Sequence, residues 1–132
     1  MFPFLRQLPL ALERDDLRIV HAAWIDEKIA EARALPAGDV AAAYDLLEEA
    51  ALVHAQLRNI PALQSAESAA WPYSLEDGAH QPPFMPAHAD SELNKSQYNA
   101  LKVVTCGVER RGSEPFYAGG KWRFVERVGW WN

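Results

Sequence analysis

Proline and turn-forming pairs are concentrated in residues 61–90, and this stretch limits most strongly what the chain can fold into. Proline lacks a backbone N–H and fixes φ, and Asp-Gly favours a tight turn, so long regular elements are not expected to pass through it. We therefore predict a long surface loop or lid here. The groups on which the prediction depends are Trp71-Pro72-Tyr73, Asp77-Gly78, Pro82-Pro83-Phe84 and Met85-Pro86.

A short helix over residues 2–8 and a β-hairpin are predicted before this loop. Two β-like runs, residues 10–13 and 17–22, are separated by a polar turn, which is the pattern of a hairpin. Side chains alternate along a strand, so His21 shares a face with two apolar residues of the second run. His21 is therefore expected at the carboxyl end of a strand, where α/β proteins often carry ligand-binding residues.

A helical segment is predicted over residues 25–60. Residues 26–35 are rich in Ala, Glu and Lys, and Asp39 is a suitable N-cap for a longer helix that reaches about Arg58. Apolar residues recur at helical spacing in the longer helix, which predicts that they form its buried face. They are Leu46, Ala50, Val53 and Leu57.

After the loop, residues 91–132 are predicted to form a helix and a C-terminal strand. The helix covers residues 91–101, and the pattern of residues 101–106 fits either a helix end or a strand. Residues 121–128 alternate in character after two glycines, which predicts a strand preceded by a turn. Together these elements indicate one domain, or part of one, of α/β class that is seen as α+β in isolation.

Charge and cysteine content argue against several classes of protein. The net charge is −5, and Lys and Arg form no cluster, so a nucleic-acid partner is not expected. No apolar run is long enough to predict a membrane span. Cys106 is the only cysteine, which excludes an internal disulfide and is typical of a reducing compartment. We therefore expect a cytoplasmic protein.

Two stretches of the chain contain recognisable motifs. In residues 4–24, Leu8-Pro9-Leu10 comes before the predicted hairpin, and His21-Ala22 and Trp24 come at its end. In residues 101–131 the motifs are Gly119-Gly120-Lys121-Trp122-Arg123 and Trp130-Trp131. In this order the two stretches resemble segments of bacterial calcineurin-like metallophosphoesterases, which are often described as serine/threonine protein phosphatases or diadenosine-tetraphosphatase-like enzymes. In that family a Leu-Pro-Leu segment leads into a hairpin, and the next strand ends in His-Ala with a tryptophan nearby.

The resemblance implies a layered α/β/β/α domain that hydrolyses phosphate esters at a centre of two divalent metal ions, Mn, Fe or Zn. The substrate would be a phosphorylated small molecule, such as a nucleotide, or a phosphoprotein. His21 matches the family's lone metal-ligand histidine, and Trp24 would lie near the site. Residues 1–24 would supply the metal-ligand strand, and the helical segment after it would be an insert. The simpler alternative for His21 is a strand-end histidine that hydrogen-bonds to the backbone.

The other metal-binding motifs of the family have no counterpart in this sequence. They are Asp-x-His, Gly-Asp-x-x-Asp, Gly-Asn-His and a late Gly-His-x-His-type motif. One imidazole cannot hold two metal ions, so we expect the chain to be inactive alone. The chain is then a fragment, or one part of a split enzyme that needs the missing part of the domain. The alternative is a non-catalytic α+β binding module that uses its Trp-rich C-terminus to bind a partner or a second copy.

The remaining candidate groups have simpler explanations. His80, His88 and Asp90 fit a solvated loop better than a metal site, because their spacing matches no compact ligand motif. Arg123 and Arg127 share a predicted strand face and could contact a phosphate in the intact enzyme. Surface salt bridges explain these two arginines equally well, so they are not included in the predicted site.

Overall fold

A computed structural model describes residues 8–36 and 38–131. Within these residues the chain has an α+β fold of five helices and two separate two-stranded antiparallel sheets. The elements in chain order are β1 (Ala11–Arg14), β2 (Leu17–Val20), α1 (Asp26–Arg33), α2 (Val40–Leu57), α3 (Ile60–Ala70), α4 (Pro86–Tyr98), α5 (Ala100–Cys106), β3 (Val108–Ala118) and β4 (Lys121–Val128). The helix predicted over residues 2–8 lies, apart from Leu8, outside the described residues.

The first hairpin is confirmed. β1 pairs antiparallel with β2 in the register that places Ala11 opposite Val20. Val20 packs against a small core, whereas Leu17 and Ile19 on the other face are 48% and 51% exposed. His21 therefore follows a strand whose outer face carries half-exposed apolar side chains.

The helices before residue 60 form where the sequence predicts them, and α2 is capped as expected. The carboxylate of Asp39 accepts hydrogen bonds from the backbone N–H groups of Ala41 and Ala42, at 3.0 and 3.2 Å. These bonds satisfy N–H groups that have no partner inside the helix.

The prediction for the buried face of α2 is wrong. Leu46, Val53 and Leu57 are 66%, 53% and 78% exposed, whereas Ala51 and Ala55 are buried. α4 is packed against α2, and small side chains allow two helices to approach closely. Both sides of α2 carry apolar residues, so the spacing alone does not show which side is buried.

The long loop predicted for residues 61–90 is only partly present. Pro61 lies in the first turn of α3, and Pro86 is the first residue of α4. A proline in the first turn loses no helical hydrogen bond, because N–H groups there have no partner within the helix. Both prolines therefore begin helices, and helix is missing only from residues 71–85.

The second hairpin contains one strand that the sequence predicts and one that it does not. β4 has the predicted bounds, and the turn before it places Gly119 and Gly120 at φ values of 61° and 80°, which favour glycine. β3 pairs antiparallel with β4, with an irregularity between Arg111 and Phe116. A glycine and a proline in the irregular part obscure the strand pattern of β3. Residues 101–106, which fitted either element, are helical in α5.

Two clusters of buried side chains hold these elements together. The first joins α4 to the second hairpin and consists of Met85, Ala89, Phe124 and Val125. The second joins the first hairpin, α1 and α5 and consists of Trp24, Ile29 and Val104, with Trp130 packed against it. None of the helices within the described residues has the length and apolar character needed to cross a membrane.

Candidate functional site

His21 lies on the surface directly after β2. The residue is exposed, and its imidazole makes no hydrogen bond or ion pair with residues 8–36 or 38–131. The imidazole is therefore accessible to a metal ion or to another part of a protein. This differs from the simpler alternative of a strand-end histidine bonded to the backbone.

The backbone that follows His21 is held by α5. The N–H groups of Ala22 and Ala23 both donate to the carbonyl oxygen of Val104, at 2.9 and 3.4 Å. Gly107, at a φ of 98°, lies close enough that an added Cβ would be 4.0 Å from the Cβ of Ala22. α5 thus fixes the chain just after the strand and leaves the imidazole exposed.

Trp24 anchors the small core just beyond the histidine. The residue is 6% exposed and packs with Ile29 and Val104. Its indole N–H donates to Asp26 at 2.9 Å, and the guanidinium carbon of Arg18 lies 4.9 Å from its ring centroid. These contacts give Trp24 a structural role that orients the chain around the end of β2.

Charged side chains connect the first hairpin to α1. Glu13 accepts hydrogen bonds from Arg33 at 2.6 Å and from Arg18 at 2.9 Å. Both bonds favour the charged form of the Glu13 carboxyl and so hold its pKa below its ordinary value. The bond from Arg33 has the larger effect. Arg18 also lies 3.8 Å from Asp26. The network links both strands to the helix that follows them.

Within the described part of the chain, no group of three or more His, Cys, Asp or Glu residues is arranged to hold a metal ion. Protein sites for zinc usually have three or four protein ligands, and a binuclear centre needs more. At the end of β2 the ligand predicted by the resemblance is His21 alone. These residues therefore do not fit a two-metal centre by themselves, and no catalytic step can be derived for them.

Two of the other histidines make contacts elsewhere. His54 stacks on Tyr98, with ring centroids 3.7 Å apart. His80 lies in the irregular segment, 2.7 Å from a carboxylate oxygen of Asp77, and stacks on Tyr73. A backbone N–H bond and the bond to His80 lower the pKa of the Asp77 carboxyl. For His80, the predicted loop location is confirmed.

His88 lies in the first turn of α4, inside a polar cluster that the sequence did not reveal. Its Nδ1 is 2.7 Å from a carboxylate oxygen of Glu67, and its Nε2 is 3.4 Å from the hydroxyl oxygen of Ser68. Glu67 also accepts hydrogen bonds from the backbone N–H groups of Ala87 and His88, at 2.7 and 3.1 Å. The order serine, histidine, carboxylate is that of a hydrolase triad. Because the carboxylate satisfies the N–H groups that begin α4, we interpret the cluster as a helix cap supplied by α3.

Asp90, the third residue of the predicted loop group, is also in α4. Its carboxylate forms an ion pair with Arg111 of β3, which joins the helix to the second hairpin. His80, His88 and Asp90 therefore belong to three different sets of contacts.

Comparison of the chain with models of protein families, with curated proteins and with solved structures gives no match. The resemblance to metallophosphoesterases in residues 4–24 and 101–131 therefore stays a prediction from the sequence.

Proposed function

We propose that this chain is a segment of a metal-dependent phosphoesterase of the calcineurin-like kind, acting on a phosphorylated small molecule or a phosphoprotein. In this proposal His21 is one ligand of a centre of two divalent metal ions, Mn, Fe or Zn, and the other ligands come from outside the chain. Such a centre polarises a phosphate ester and supplies a hydroxide nucleophile. Since the chain offers one matching ligand, the proposal includes that it is inactive alone.

One observation carries the proposal: the two stretches that resemble the family meet next to His21. They are far apart in sequence, but hydrogen bonds from Ala22 and Ala23 to Val104 join them. Trp24 of the first stretch and Trp130 of the second contribute to the same core. Two chance matches would have no reason to be neighbours in the folded chain, so this arrangement supports a common origin for both.

The proposal places the observed α+β fold inside a larger layered α/β/β/α domain. The strands of the first hairpin would contact further strands of that domain, and residues 25–90 would form an insert on one side. Half-exposed Leu17 and Ile19 on the outer face of β2 offer apolar surface for such a contact. We also place the protein in the cytoplasm, because its only cysteine, Cys106, is free, as is usual in a reducing compartment.

The DNA on both sides of the sequence that encodes this chain provides the test. We expect the DNA upstream to encode Gly-Asp-x-x-Asp and Gly-Asn-His, and the DNA downstream to encode Gly-His. The joined protein should hydrolyse p-nitrophenyl phosphate with added Mn²⁺. His21→Ala should lower that activity at least about a hundredfold, because a metal ligand is lost. His80→Ala removes an exposed imidazole of the irregular segment and is the matched control. Flanking DNA without these motifs, or full activity in His21→Ala, would refute the proposal.

A second function, that of a non-catalytic binding module, is favoured by the apolar side chains left exposed. Leu46, Val53 and Leu57 lie on one side of α2, and Trp131 is 72% exposed. A binding module would use such a surface for a partner or a second copy. Sedimentation velocity and dye binding separate the two functions. A discrete species of one size favours the module, whereas aggregation together with dye binding favours a segment of a larger domain.

A further inference from the structure

The two serines of α3, Ser65 and Ser68, differ in what their hydroxyl groups contact. The hydroxyl of Ser65 donates to the carbonyl oxygen of Pro61 at 3.0 Å, which is a common bond of a serine inside a helix. The hydroxyl oxygen of Ser68 lies 3.4 Å from Nε2 of His88, and it has no other hydrogen bond within residues 8–36 and 38–131. Ser68 is exposed, so its hydroxyl is accessible from solvent.

The imidazole of His88 is oriented by the carboxylate of Glu67. Its Nδ1 lies 2.7 Å from a carboxylate oxygen, and an ionised carboxylate can only accept a hydrogen bond. In the neutral imidazole Nδ1 therefore carries the proton, and Nε2 carries the lone pair. Because Nε2 is then an acceptor, the hydroxyl of Ser68 is the donor of the contact between them. The side chains of His88 and Glu67 are only 17% and 20% exposed, so this arrangement is shielded from water on one side.

These three groups have the relation of a nucleophile, a base and a carboxylate that orients the base. The distance from Ser68 to His88 is longer than the usual value of about 2.6–3.2 Å, but such contacts shorten when a substrate binds. The role of Glu67 as a helix cap accounts for its bonds to the backbone. A cap requires neither Nε2 of the imidazole nor an exposed hydroxyl beside it, so the position of Ser68 needs a further explanation.

A small cavity beside this group limits the size of the substrate. Gln64 lies one helical turn before Ser68, so the two side chains lie on the same side of α3. Gln64 and His88 both line a cavity of about 80 Å³, which has room for a short acyl group and not for a long acyl chain. The side-chain amide of Gln64 makes no hydrogen bond within the described part of the chain. It is therefore available to donate to a carbonyl oxygen, on which negative charge develops during acyl transfer.

We propose that Ser68 is the nucleophile of a metal-independent site that cleaves esters of short acyl groups. The oxygen of Ser68 attacks the ester carbonyl and forms a new C–O bond, while its proton moves to Nε2 of His88. The bond to the alcohol then breaks, and the alcohol leaves with that proton. Water cleaves the acyl-serine by the same route, so that the base again takes up one proton and returns it to Ser68. Glu67 is a positioning residue, and Gln64 donates to the carbonyl oxygen.

Acylation of the chain by p-nitrophenyl acetate in the presence of EDTA tests the proposal. Absorbance of p-nitrophenol gives the rate, and mass spectrometry of peptides locates the acetyl group. We expect the acetyl group on Ser68 and not on Ser65, although both serines are exposed on the same helix. Ser68→Ala should remove this adduct and lower the rate of p-nitrophenol release at least about tenfold. Ser65→Ala is the matched control and should leave both unchanged. Because the cavity is small, p-nitrophenyl octanoate should acylate Ser68 at least about tenfold more slowly than the acetate.

A second variant tests the base. His88→Gln should slow the acetylation of Ser68 at least about a hundredfold. Ser68→Ala leaves every bond of Glu67 in place, so its circular dichroism should equal that of the parent chain and its loss of activity cannot come from unfolding. The proposal is overturned if Ser68 carries no acetyl group, if Ser65 reacts as fast as Ser68, or if His88→Gln acetylates at the parent rate. The phosphoesterase proposal would be unaffected by any of these results, because its test uses a phosphate ester and added Mn²⁺.

Discussion

Replacing Glu67 tests whether α3 supplies the cap of α4. The residue before α4, Met85, offers no side-chain hydrogen bond to the helix, and the carboxylate of Glu67 accepts hydrogen bonds from two N–H groups of the first turn. Loss of such a cap costs about 0.5–2 kcal/mol. The same carboxylate also bonds to the imidazole of His88 in a partly buried position, for which about 1 kcal/mol is typical.

For Glu67→Ala we therefore expect a loss of about 2–3 kcal/mol in the free energy of unfolding. For a chain of this length that corresponds to a fall of roughly 10 °C in the midpoint of thermal unfolding. Urea unfolding followed by circular dichroism measures the free energy directly. Glu67→Gln keeps an amide oxygen that can accept one backbone N–H, so it should lose about half as much.

Glu49→Ala is the matched control, because Glu49 is exposed on a helix and its replacement should change stability by no more than about 0.5 kcal/mol. If Glu67→Ala costs no more than Glu49→Ala, the cap contributes nothing and the argument is wrong. If Glu67→Gln costs as much as Glu67→Ala, backbone capping is not the source of the stability.

Three further predictions follow from burial, exposure and charge. Asn94 is 1% exposed, and its side-chain amide donates to a backbone carbonyl of α2 at 2.7 Å. Asn94→Ala should therefore lower the free energy of unfolding in urea by about 1–3 kcal/mol. An unchanged midpoint of urea unfolding would contradict this. Leu57→Glu should change stability by less than about 0.5 kcal/mol and reduce any self-association in sedimentation velocity; a loss of several kcal/mol would show that Leu57 is buried after all. The pKa of the Glu13 carboxyl is lower in the folded chain than its ordinary value. The stabilising contribution of Glu13 is therefore present at a pH above the pKa of the unfolded state, and it is lost as the pH falls through the lower pKa of the folded state. In acid unfolding Arg33→Gln should therefore lose less stability than the parent chain on acidification, and identical pH profiles would refute this.

Elements with local signals could be predicted from the sequence. The first hairpin follows from two β-like runs around a polar turn, α2 from Asp39 before a periodic helix, and β4 from alternation after two glycines. In each, the determining residues lie within one element or beside it. The position of His21 after a strand is predictable for the same reason.

Features that depend on distant parts of the chain could not be predicted. A proline is compatible with the end of one helix and with the start of the next, and in the structure Pro61 lies in the first turn of α3. The outward direction of Leu57 depends on which side of α2 meets α4. The cap that Glu67 provides joins residues 21 positions apart in sequence. Glu109 lies opposite Arg127 in the second hairpin, but it forms an ion pair with Lys102 of α5.

The hydrogen bonds from Ala22 and Ala23 to Val104 have a consequence for how the chain can vary in length. α1 packs against α5, so the chain leaves the neighbourhood of His21 and returns to it at almost the same place. Residues 34–99 therefore form an excursion whose two ends are fixed beside each other. Lengthening or shortening such an excursion changes the entropy of loop closure only slowly. The end of β2 can accordingly keep its geometry when residues are inserted into this segment, provided that α4 keeps its contacts with α5 and the second hairpin.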